Sequence, residues 1–182
     1  MVSLKNLIRT TFLILAVILL VGACADKATD GDSVTVAKSP NDAREYKSLV
    51  LANGIKVLLI SDPTADKAAA SVDVNAGSNS DPAEFAGLAH FLEHMLFLGT
   101  TKFPEAGAYQ EYIAGHGGEH NAYTSYENTN YFFDIDAEFL EPALDRFSQF
   151  FIAPLFTADY VDRERNAVNS EYQSGLQDDG RR

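Results

Sequence analysis

Hydrophobic and polar positions change period several times along the chain, and each change marks an element. Two β-rich runs, "EYKSLV" and "GIKVLLISD", flank Asn53-Gly54, a strong short hairpin signal. The stretch "AAASVDVNAG", Ala68 to Gly77, alternates small apolar and polar residues and predicts a third strand. Between Asp81-Pro82 and Gly99, Phe85, Leu88, Ala89, Leu92, Met95 and Leu96 recur at helical spacing, as the buried stripe of a first helix. A second helix is expected to open at Pro104, which suits a first helical position, and to stop in the glycine cluster from Gly115 to Gly118. "EHNAYTSY" and "TNYFFDID" read as two more strands joined near Glu127-Asn128. An amphipathic helix follows in "AEFLEPALDRFSQFFIAPLF", broken by Pro154, and helical pattern resumes at Thr157 and continues to the last residue. Tyr109, Tyr112, Phe132, Phe133, Phe147, Phe150 and Phe151 belong to a core or to strand ladders on this reading. No internal repeat is present. The fold class is α+β, an antiparallel-rich β-sheet packed by helices.

Composition agrees with a packed domain: of 182 residues, 46% are hydrophobic and 22% charged, enough apolar surface for a real core. A formal charge of −12 and the lack of any Lys/Arg cluster exclude a nucleic-acid partner, because phosphate binding needs clustered cations. The acidic surface serves solubility, or favours basic peptides.

The first 44 residues read differently. Lys5 and Arg9 precede the apolar run Phe12 to Val21, and small residues end it at Gly22 to Cys24, the layout of a signal peptide over residues 1–23. The run is about half of the roughly 20 residues that span a bilayer, so an uncleaved anchor is the weaker alternative. Cys24 is the only cysteine and has no disulfide partner within the chain. Its position after "LVGA" resembles a bacterial lipobox, which implies lipidation of Cys24, export, and a membrane-tethered mature protein on the periplasmic face. With Ala25 rather than Asp next in line, the resemblance implies the outer membrane. An ordinary secretory signal with an incidental cysteine is the competing reading. Residues 24–44 are polar and aperiodic, a tether ahead of a folded domain over residues 45–182.

The chemistry concentrates in "HFLEHMLFLG", where His90, Glu93 and His94 stand among Phe, Leu and Met. Residues four apart share a helical face, so His90 and His94 can present imidazoles to one cation. Glu93 projects beside them, where a carboxylate can take a proton from a water that the metal activates without itself being a ligand. With four His in the chain, chance supplies about 0.005 copies of H-x-x-E-H, so the motif is informative despite its length. A zinc hydrolase needs a third protein ligand and an open position for water. Spacing alone leaves His116, Glu119, His120, Glu127, Glu164 and Glu171 as candidates. Glu164 and Glu171 are seven apart and share a helical face, although a solvated charged face explains that equally.

Four stretches together, "AGLAHFLEHMLFLGTTKFPEAGAYQEYI", "GGEHNAYTSYENTNYFFDI", "LDRFSQFFIAPLF" and "ERNAVNSEYQ", resemble the N-terminal domain of the pitrilysin (insulinase) family of inverted-motif zinc metallopeptidases. The resemblance runs from about Tyr46 to the end and includes the distal motif, with Glu171 lying 77 residues after His94. It implies one Zn2+ per chain held by His90, His94 and Glu171, Glu93 as general base, and Glu164 as the carboxylate supporting the ligands. It also implies that Asn121-Ala122-Tyr123 is the edge strand along which a substrate peptide pairs, giving loose sequence specificity. His120 stands where relatives often carry Ser, which changes the contacts beside that strand. Family members are usually much longer and close a chamber from several related domains, so the chain is expected to be truncated and to need further domains or a partner subunit. The implied activity is zinc-dependent endopeptidase action on oligopeptides or small unfolded proteins. The rival readings are a non-catalytic peptide-binding or scaffold member of the same fold, and an inactive fragment of a longer peptidase.

Overall fold

A computed structural model describes residues 36–176. The signal-peptide reading of residues 1–23, Cys24 and the tether up to residue 35 lie outside the described residues, as do residues 177–182, over which the helical pattern was expected to continue. Residues 36–44 contain a turn but neither helix nor strand.

The chain divides into two compact units at Thr64 and Ala65. In the first, β1 (Glu45–Val50) and β2 (Lys56–Ser61) pair antiparallel, with Glu45 opposite Ser61 and Val50 opposite Lys56. The hairpin forms as expected, but its connection spans residues 51–55 instead of turning tightly on Asn53-Gly54. The Gly54 N–H donates to Leu51 O and the Leu51 N–H to Ile55 O, and these bonds close the wider loop.

The second unit holds β3 (Lys67–Val74), β4 (His120–Thr124) and β5 (Thr129–Asp136) in the order β3-β5-β4, all neighbours antiparallel. Central β5 alternates between its two faces: Tyr131, Phe133 and Ile135 are buried, while Phe132 faces outward. Helices α2 (Ala108–Gly115) and α3 (Leu140–Ile152) pack on the inner face and close a core that includes Tyr109, Ile113, Phe133, Ile135, Phe147 and Phe150. Of the aromatic residues assigned to core or ladder, Phe132 is a ladder residue paired with Ser71 and Asn121 on the exposed face, and Phe151 is partly exposed at the core's margin, its ring 5.3 Å from that of Tyr131. Pro142 is the third residue of α3, within the first turn, where its missing N–H costs no helical bond.

Two helices place the chemistry: α1 (Leu88–Leu96) and α4 (Ala158–Gly175) pack against each other, and α1 also lies against β4. Helix α1 corrects the sequence reading in two ways. It starts at Leu88 rather than beside Asp81, although Asp81 still caps it: its carboxylate accepts from the Gly87 N–H at 2.7 Å and the Ala89 N–H at 2.8 Å. The expected buried stripe also holds only at its C-terminal end, at Met95 and Leu96. Phe85, Leu88 and Leu92 are exposed, and the buried residues of α1 are Glu93, Met95 and Leu96. Helix α2 likewise begins at Ala108, four residues after Pro104, because Gly107 takes a φ of +95° that ends any helical run from upstream.

The β4–β5 turn is pinned from below. The Ser125 carbonyl accepts from the Ser78 N–H at 2.9 Å, and the backbone passes so close to Gly77 that a β-carbon there would collide with Ser125 O and lie 2.7 Å from Asn128 N. Because the obstacles are backbone atoms, Gly77→Ala is expected to lower unfolding stability by about 1–3 kcal/mol. Chemical denaturation of the two chains checks this.

Candidate metal centre

His90, Glu93 and His94 occupy positions i, i+3 and i+4 of α1, so one helical face carries all three. Eighteen-residue α4 crosses α1 and brings Glu164 and Glu171 to the same face. The two imidazoles meet edge to face with their Nε2 atoms 3.3 Å apart. Glu171 completes a triangle: Oε2 is 3.3 Å from His90 Nε2, and Oε1 is 3.7 Å from His94 Nε2. One atom from each of the three residues falls within 4.8 Å of the others. Tetrahedral zinc with ligands at about 2.0–2.2 Å separates neighbouring ligand atoms by roughly 3.3–3.6 Å. The donor set and its spacing therefore fit that ion. Among the candidates that spacing had left open, Glu171 alone joins both histidines in this triangle; His116 instead ends α2, its Nδ1 on Tyr112 O at 2.7 Å.

Glu164 stands behind the triangle. Its Oε2 lies 3.1 Å from His94 Nδ1, which directs the opposite ring nitrogen, Nε2, toward His90 and Glu171. Its other oxygen accepts from Arg163 Nε at 2.8 Å, so the carboxylate is held at both ends. Glu171 is half exposed, with a side chain 53% accessible, whereas Glu164 is 12% accessible.

Glu93 is buried, at 7% exposure, and Thr124 Oγ1 donates to its Oε2 at 2.5 Å. Burial, with the Glu93 charge adding to it, pushes the neighbouring Tyr131 phenol up to about 12, so that hydroxyl keeps its proton. A cavity of about 670 Å³ opens over the group, bounded by α1, α4, Gln110 and β4. Strand β4 is the edge of its sheet among the described residues. Asn121 and Tyr123 face outward along it, and the Asn121 side-chain oxygen accepts from the Ala122 N–H at 2.9 Å, occupying one edge donor. His120 enters the cavity wall against the Phe97 ring at 5.6 Å and the Tyr109 ring at 5.3 Å, and burial lowers its basicity.

Sequence reasoning missed Thr124 and Gln110. The signal available for Thr124 was the alternation of β4, which puts it on the same face as His120 and Ala122, toward α1.

The sequence profile of the insulinase family, peptidase family M16, matches residues 56–179. The chain belongs to the insulinase family. Over 144 residues it is 58% identical to the human (Homo sapiens) insulin-degrading enzyme, covering 79% of this chain and 14% of that protein. A Schizosaccharomyces pombe relative named as a zinc protease is 51% identical over 141 residues, 77% of this chain and 15% of its own length. The crystal structure of pitrilysin superposes with a TM-score of 0.77 at 41% identity, covering 81% of this chain and 16% of that one. This insulinase-family chain thus spans about one seventh of the length of the relatives it matches, and it shares the α+β fold of pitrilysin.

Proposed function

We propose that the chain is the metal-bearing catalytic portion of a zinc-dependent endopeptidase acting on oligopeptides or small unfolded proteins. The observation that carries this reading is the triangle of His90, His94 and Glu171, with buried Glu93 beside it. The naming of the Schizosaccharomyces pombe relative after a zinc protease supports the choice of ion. Zinc held by those three residues would lower the pKa of water toward neutrality and polarise a carbonyl oxygen. Glu93 takes the proton of the attacking water and passes it to the departing amine, so that one carboxylate serves as base and then acid. Glu164 fixes the His94 ring. The free edge of β4 at Asn121, Ala122 and Tyr123 offers backbone groups to an extended peptide, which must first displace the Asn121 side chain from the Ala122 N–H. Further domains or a partner subunit would complete the chamber around that peptide.

The test is direct. The purified chain should bind one zinc and hydrolyse unstructured fluorogenic peptides, with hydrolysis abolished by a chelator and restored by zinc. Peptide affinity that is indifferent to metal would favour the binding-module reading.

The leader reading belongs to the same proposal: export through residues 1–23 and anchoring of the mature protein by lipid on Cys24 at the periplasmic face of the outer membrane. In a bacterial host, labelled fatty acid is expected in the wild-type protein and absent from Cys24→Ala, with the variant recovered in the soluble fraction. Equal labelling of both would remove the anchor.

A further inference from the structure

The peptidase reading gives Glu93 a task that depends on direction, since a base must point one oxygen at its proton donor and keep it there. A carboxylate on a flexible two-carbon stem does not do so unaided. We infer that Thr124 is the residue that positions Glu93: its hydroxyl holds Oε2 and leaves Oε1 as the oxygen that receives the proton of the attacking water. This rests on the reading of the chain as a peptidase.

The geometry is specific. Thr124 is the last residue of β4 and pairs across the ladder with Thr129, the first residue of β5. Thr129 Oγ1 donates to Ala76 O at 2.8 Å, so its own proton is committed. Thr124 Oγ1 lies 3.4 Å from Thr129 Oγ1 and 2.5 Å from Glu93 Oε2, and the short contact to a charged acceptor takes its single proton. The backbone behind it is fixed by the Ser125 N–H on Asn128 O at 2.8 Å and by the close passage of the turn over Gly77. The hydroxyl therefore belongs to a rigid edge, while the carboxylate it grips belongs to α1. That bond ties the peptide-binding strand to the base.

A buried carboxylate has few other ways to be held. Removing the bond frees the Glu93 rotamer without touching the His90, His94 and Glu171 triangle. The expected signature is a loss in the rate of the chemical step with binding and metal content unaltered.

The experiment compares Thr124→Val, Thr124→Ser and Thr124→Ala in the full chain with zinc present. A hydrogen bond to a charged group is worth about ten- to a hundredfold. Val and Ala are expected to lower kcat by about that factor with KM within about twofold and zinc content unchanged, and Ser to recover kcat to within about threefold. An unchanged kcat in Val and Ala overturns the inference, and so does equal impairment of Ser and Val, which would make the threonine a packing residue. Crystal structures of the zinc-loaded variants give a reading independent of turnover. The Glu93 carboxylate should leave its position in Val and Ala and keep it in Ser; if it stays in place in all three, Thr124 does not position it. Zinc binding without hydrolysis by the wild-type chain would favour the inactive-fragment reading, and the structures would still decide the role of Thr124.

Discussion

A Glu93→Gln chain is expected to take up zinc as the wild type does and to hydrolyse peptides roughly a thousandfold more slowly. The two outcomes separate because Glu93 has no place in the triangle of His90, His94 and Glu171. Gln has the length and shape of Glu, and its amide oxygen can still accept from Thr124 Oγ1, so the cavity wall stays closed. What changes is basicity: an amide cannot take a proton from water, and general base catalysis contributes about 10²- to 10⁴-fold. Folding should not suffer, since a buried charge at 7% exposure is replaced by a neutral group with the same partner. Three measurements on one preparation are required: bound zinc by elemental analysis, thermal midpoint, and the rate on a fluorogenic peptide. Activity above about a tenth of wild type with full zinc would remove Glu93 as the base. Loss of zinc together with activity would mean that the carboxylate ligates.

The local parts of this centre were legible in the sequence because they obey a short period. His90, Glu93 and His94 lie within five residues, and helical geometry alone puts them on one face. The run "TNYFFDID" was legible as a strand for the same reason, whereas the burial of Tyr131, Phe133 and Ile135 on one of its faces came from the structure. Reading failed where the deciding contact was tertiary. The choice of Glu171 over Glu119 or His120 depends on how α4 crosses α1, which no spacing encodes, and only the family resemblance had singled it out. Thr124 reaches Glu93 across a strand and a helix 31 residues apart in sequence. The expectation of a buried stripe from Phe85 to Leu96 fits Met95 and Leu96 and fails at Phe85, Leu88 and Leu92, because apolar periodicity assumes that the apolar face is the buried one. In α1 the carboxylate of Glu93 is buried along with Met95 and Leu96, while Leu88 and Leu92 are exposed. The pattern breaks at the residue to which the proposed chemistry falls.

Glu171→Ala is expected to weaken zinc binding by about two to three orders of magnitude and to loosen α4 from the rest of the fold. The reason lies in how α4 is attached. None of its residues from Ala158 to Gly175 is fully buried, so little apolar burial secures it. Its polar attachments to α1 are the approach of Glu164 to His94 and of Glu171 to both histidines. A zinc ion shared by α1 and α4 would turn these weak polar contacts into a bridge. Zinc sites are worth about 10–16 kcal/mol in all, so one ligand of four accounts for about 3–4 kcal/mol, or two to three decades of affinity. Ligand at a thousand times its dissociation constant stabilises the form that binds it by about 4 kcal/mol, and that stabilisation should concentrate in the element the metal bridges. Hydrogen exchange on the wild-type chain should therefore show zinc-dependent protection of the α4 amides, lost in Glu171→Ala. Glu164→Ala removes a supporting carboxylate rather than a ligand, and is expected to cost only about ten- to a hundredfold in zinc affinity. Wild-type zinc affinity in Glu171→Ala would eliminate it as the third ligand. An α4 protected equally with and without zinc would mean that the helix is held by packing and that the metal, if bound, does not bridge.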